Sequence, residues 1–125
     1  MATNGGGPTR PNIEGVDPRK VLYFAIFPNC LISLHPDYVM LHTLWPRGAG
    51  RTEVVCEWFF EPGVTEHTDA VEFWDLVNRQ DWAVCESVQR GMTSRSYRHG
   101  WFAPMEDDSL DIRRWLLPRL ESRRA

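Results

Sequence analysis

Between residues 69 and 91 apolar side chains recur in steps of four and three, the spacing of one face of an α-helix. Ala70, Trp74, Val77, Val84 and Val88 all fall within about 60° of Asp81 when each residue advances about 100°. Glu72, Asp75, Arg79, Glu86 and Arg90 occupy the opposite side. The polar face is therefore complete without Asp81, and Asp81 supplies the missing rung of the apolar one. The pattern predicts a long amphipathic helix, with Thr68 or Asp69 as its N-cap and Gly91 as its stop. It also places a carboxylate where burial is expected. An unpaired buried carboxylate costs several kcal/mol or takes up a proton. Asp81 therefore needs a basic partner, a set of hydrogen-bond donors or a metal ion.

The residues before this helix read as strands. "KVLYFAIFP" and "NCLISLHP" are dense in β-branched and aromatic residues and are broken by Pro28 and Pro36. They predict two short strands, or one kinked strand, over 21–27 and 30–34. "DYVMLHTLWP" and "RTEVVCEWFFEP", joined through "RGAG", predict a hairpin. In its second arm Val54, Cys56, Trp58 and Phe60 share one face, and Val55, Glu57 and Phe59 the other. Apolar residues on both sides predict a sheet at least partly covered on both. "MEDDSLDIRRWLLPRLESRRA" reads as a second helix, capped by Asp107, Asp108 or Ser109 and kinked or ended by Pro118. Strands followed by helices give an α+β fold, an antiparallel sheet carrying a long helix and a C-terminal helix. Residues 1–17, rich in Gly, Pro and Asn, are expected to be irregular or disordered, with the fold over 18–125.

The formal net charge of −3 offers no electrostatic case for nucleic acid. The arginines near the C-terminus suit a solvated helix end. Cys30, Cys56 and Cys85 show no C-x-x-C or C-x-H spacing and read as reduced core residues of an intracellular, cytoplasmic protein. No run of about eighteen apolar residues suggests a membrane span. The start of the chain does not read as a secretory signal. His35, His42, His67 and His99 form no H-x-x-x-x-H or H-x-x-H pair. The odd offset between His35 and His42 is expected to put them on opposite faces of a strand unless a bulge intervenes. If Asp81 binds a metal, its co-ligands are not evident in these residues.

Three stretches together resemble a known family: "FAIFPNCLISLHPDYVMLHTLWP", "RTEVVCEWFFEP" and "FWDLVNRQDWAVCESVQRGMTSRSYRHGWFAPMEDDSLDIRRWL". Over about residues 20–117 the chain is similar to the C-terminal part of the catalytic domain of Rieske non-haem iron oxygenases. These are α subunits of ring-hydroxylating oxygenases and relatives acting on choline-, betaine- or carnitine-like amines. The resemblance implies a partial helix-grip (START-like) fold. It also implies that Asp81 is the third ligand of a mononuclear Fe(II), beside two histidines from an upstream helix. A Rieske [2Fe–2S] cluster, held by C-x-H and C-x-x-H motifs, belongs further upstream. Neither motif is present, so the expectation is a fragment, inactive alone, of an oxygenase α subunit. The complete enzyme would hydroxylate an aromatic or small amine substrate with dioxygen. Its partners would be the missing N-terminal part, a reductase or ferredoxin donor and, in full-length form, the other subunits of a homotrimer. Phe27, Asn29, Asn78 and Trp82 are candidates for the substrate pocket wall. The alternative is a stand-alone helix-grip ligand-binding module without metal.

Overall fold

Four strands alternate direction as expected of short β-rich runs separated by turn residues. In the computed structural model, which describes residue 17 and residues 20–122, they are β1 (Leu22–Ile26), β2 (Cys30–Leu34), β3 (Tyr38–Gly48) and β4 (Arg51–Phe60). All neighbours are antiparallel, in the order β1-β2-β3-β4. Helices α1 (Thr68–Met92) and α2 (Asp107–Glu121) follow. The α+β class and the strands-then-helices order match the sequence reading. The expectation for residues 1–17 lies, except for Asp17, outside the described residues.

Proline and asparagine set the first turn. Phe27–Pro28 is a cis peptide, and Asn29 then ties β2 to β3 twice. Its Nδ2 donates to the Leu44 carbonyl at 3.0 Å, and the Leu44 amide donates to the Asn29 carbonyl at 2.9 Å. The "EPGV" turn after β4 is closed by Val64 N–H donating to Glu61 O at 3.1 Å, with Gly63 at φ +91°. A side chain at that φ is strained, so Pro followed by Gly is the natural pair for this type II turn.

Strand alternation puts Tyr38, Met40 and His42 of β3 on one face, beside Phe60, Trp58 and Cys56 of β4 by register. Helix α1 lies over this face. The apolar core is Tyr38, Met40 and Ala70, flanked by Trp58, Phe60 and Trp74. Trp74 Nε1 donates to the Tyr38 hydroxyl at 2.5 Å, and the His35 ring stacks on Tyr38 at 4.3 Å between centroids. On the other face Phe24, Ile26, Val55 and Phe59 are exposed, so among the described residues the expected cover on both sides is found on one.

The helix ends differ from expectation. His67 precedes α1 and Glu106 precedes α2, and neither side chain makes a cap hydrogen bond. Thr68 and Asp107 are already helical. Gly91 lies inside the last turn of α1 and does not stop it; the C-cap is Thr93, whose hydroxyl donates to the Arg90 carbonyl at 2.7 Å. That hydroxyl satisfies one orphan carbonyl, so no left-handed glycine is required. Pro118 sits within α2, four residues after Arg114, and the helix runs past it to Glu121. No helix among the described residues is long and apolar enough to cross a membrane.

Candidate functional site

The apolar stripe of α1 is continuous in sequence but only its first half is covered. Ala70 and Asn78 are buried, whereas every residue from Arg79 to Met92 is exposed. Beyond Asn78 the helix parts from the sheet and an open cleft of about 1000 Å³ lies between them. Leu31, His42, Leu44 and Val54 line its sheet side, and Ala49, Gly50 and Arg51 its hairpin tip. Asn78, Asp81, Trp82, Cys85 and Arg90 line its helix side.

Asn78 is where helix and sheet are last joined. Its Nδ2 donates to Cys56 Sγ at 3.6 Å, and its Oδ1 faces His42 Nε2 at 3.3 Å. His42 and Cys56 are direct partners in the β3–β4 register. One buried amide thus spans a cross-strand pair. Burial pushes the Cys56 thiol pKa up, and the Asp75 carboxylate adds to the rise. Cys56 is accordingly a protonated hydrogen-bond partner and a poor nucleophile.

Asp81 stands one turn beyond Asn78 on the cleft wall. It is exposed, which corrects the expected buried rung: the sheet has already diverged from α1 at this point. It makes no hydrogen bond or ion pair with any described residue, unlike Asp75, which holds Arg79 at 2.7 Å. Among the described residues no three His, Cys, Asp or Glu side chains converge as a metal site. Asp81 shares the cleft wall with a second carboxylate, Glu86, and the described residues do not by themselves assemble an iron site.

Of the four expected wall residues, Asn78 and Trp82 line the cleft with Asp81. Phe27 and Asn29 are not among its lining residues. Phe27 packs against Trp115 of α2 at 5.7 Å between ring centroids, and Asn29 is spent on the backbone of Leu44. The three cysteines are free, as expected, but Cys85 is exposed in the cleft and is no core residue. His35 and His42 also depart from expectation. The chain reverses between β2 and β3, so the two are not on one strand, and both reach the α1 side: His35 meets Trp74 edge-on and His42 meets Asn78. His42 was legible only through the hairpin register that sets it opposite Cys56.

A second carboxyl, Asp37, is buried at the covered end. Burial raises its pKa, a backbone hydrogen bond opposes this, and the Asp69 charge adds to the rise. Its place among the core residues, away from the cleft, makes it a structural group.

The family model for the ring hydroxylating α subunit (catalytic domain) matches residues 1–122. The choline monooxygenase (chloroplastic) of Arabidopsis thaliana is 29% identical over 107 residues, covering 81% of this chain and 25% of that protein. The spinach (Spinacia oleracea) choline monooxygenase is 26% identical over 107 residues, covering 82% of the chain and 24% of that protein. The glycine betaine monooxygenase oxygenase subunit of Pseudomonas aeruginosa is 33% identical over 69 residues, covering 51% of the chain and 16% of that protein. The chain thus spans about a quarter or less of the length of these curated relatives. No solved structure matches it. A model match over nearly the whole chain places it in a family: the chain belongs to the ring-hydroxylating α subunits, within their catalytic domain.

Proposed function

We propose that residues 18–125 form the carboxylate-bearing part of the catalytic domain of a Rieske-type non-haem iron monooxygenase. In this reading Asp81 is the one iron ligand this chain contributes. The observation that carries it is the placement of Asp81: a carboxylate without a partner among the described residues, on a cleft wall, one helical turn past the residue that anchors the helix. A carboxylate is a hard oxygen donor suited to ferrous iron beside two imidazoles. Bound iron supplies dioxygen activation; the residues here supply a ligand, an anchor and a wall. Asn78 holds the helix, and Trp82 contributes an aromatic surface. Full-length relatives named for choline and glycine betaine support a small quaternary amine as the substrate rather than an aromatic ring. The remaining ligands, the [2Fe–2S] cluster, a reductase or ferredoxin donor, a trimeric assembly and the rest of a helix-grip domain belong to the complete protein in this proposal.

The test is co-production of the chain with the remaining part of the α subunit, followed by iron analysis. Wild-type protein is expected to retain stoichiometric iron and Asp81→Ala to lose it. Stoichiometric iron in both removes Asp81 from the site, and iron in neither favours a metal-free binding module.

A further inference from the structure

Asn78 does more than anchor the helix: with its NH₂ turned to Cys56, its carbonyl oxygen favours a proton on Nε2 of His42. The Asn78 amide has two ends and two neighbours. Its NH₂ is directed at Cys56 Sγ, so its carbonyl oxygen is directed at His42 Nε2. A carbonyl oxygen can only accept, so in the neutral imidazole the proton resides on Nε2. The lone pair is then on Nδ1. That nitrogen has no partner among the described residues, and His42 lines the same cleft as Asp81 and Trp82.

We propose that His42 is a substrate-binding residue of this cleft, presenting Nδ1 as a hydrogen-bond acceptor for a ligand that carries an O–H or N–H donor. The proposal rests on the functional reading above for the identity of the cleft, and it narrows the substrate class. A quaternary amine bearing a hydroxyl, such as choline, has the donor that Nδ1 requires. Glycine betaine, a quaternary amine bearing a carboxylate, has none. The acceptor sits on the sheet wall, and the carboxylate of Asp81 and the ring of Trp82 sit on the facing helix. A cationic head can lie against the face of Trp82 while its hydroxyl reaches across to His42.

Two substitutions separate this role from that of an anchor. His42→Gln can place an amide nitrogen near the position of Nε2 and keep the donor to Asn78, but it removes the Nδ1 acceptor. His42→Asn can place a carbonyl oxygen near the position of Nδ1 and keep the acceptor, but it removes the tie to Asn78. The measurement is a titration of the ¹⁵N-labelled chain, co-produced with the remaining part of the α subunit and stripped of metal, with choline and, in parallel, with tetramethylammonium, the same cationic head without the hydroxyl. Backbone amide exchange along α1 serves as the readout of the anchor. Wild type is expected to show its ring proton on Nε2, a response of Nδ1 to choline, and about tenfold tighter binding of choline than of tetramethylammonium, the worth of one hydrogen bond. His42→Gln is expected to lose that preference with unchanged exchange along α1. His42→Asn is expected to keep the preference while exchange beyond Asn78 quickens. A ring proton on Nδ1, equal affinity for the two cations, or no binding of choline overturns the proposal. No metal enters this experiment, so its failure is distinct from retention of iron by Asp81→Ala.

Discussion

The two halves of α1 carry the same apolar rhythm and meet different fates. From Ala70 to Asn78 the stripe is closed against Met40, Tyr38 and Trp58; from Asp81 to Val88 it faces a cleft. Val84 and Val88 are 61% and 55% exposed, although their positions on the helical wheel match those of Ala70 and Trp74. Periodicity reports which side of a helix is apolar. It does not report how far the neighbouring layer extends beneath it.

The strongest way to break this contrast is to remove the floor of the covered half. Met40, 1% exposed, is the largest fully buried apolar side chain, and Met40→Ala is expected to lower unfolding free energy by about 2–5 kcal/mol in urea denaturation. A loss under 1 kcal/mol would show that the covered half is not the stable one. Next comes the joint itself. Asn78→Leu leaves His42 and Cys56 facing an apolar group and is expected to cost about 1–3 kcal/mol. Amide exchange should quicken from residue 79 onward and hold steady over 70–77. Uniform change along the helix would deny that Asn78 divides it.

Asp37 sharpens the comparison from the covered end. Its pKa is raised in the fold, so ionisation is easier in the unfolded chain. Below the usual aspartate range both states are protonated and nothing is lost. Stability falls as pH rises from there through the raised folded value. Asp37→Asn should therefore be more stable than wild type near neutral pH, with the difference shrinking as pH drops below about 4. Denaturation curves at acid and neutral pH read this directly, and a gain that grows toward acid would contradict the sign. The smallest effect belongs to the open half: Val88→Ala should stay within about 0.5 kcal/mol of wild type in the same assay.

Much of the architecture was legible because short-range rules sufficed. The strand runs broken by Pro28 and Pro36, the "RGAG" hairpin and the long helix each follow from local chemistry. The helix ends were less legible. Thr93 closes α1 with a hydroxyl, and a side-chain bond of that kind competes with the glycine signal at Gly91. The site was legible in one residue and hidden in its neighbours. Asp81 stood out as a polar interruption of an apolar stripe. Its exposure depends on where the helix parts from the sheet, which is a tertiary fact. His42 and Cys56 became a pair only through strand register, fourteen residues apart in sequence and opposite one another in space.

The unequal strand lengths carry a mechanical consequence. β2 pairs with β3 only as far as Thr43, so from Trp45 to Gly48 the sheet is a ribbon of two strands, β3 and β4. That ribbon forms the outer floor of the cleft, through Arg51 and Thr52. A lone pair of strands has little stiffness of its own. The inner floor, three or four strands wide, behaves as a fixed jaw, while the hairpin tip is the compliant one. The part of the cleft floor facing the open half of α1 is thus the part least supported by neighbouring strands.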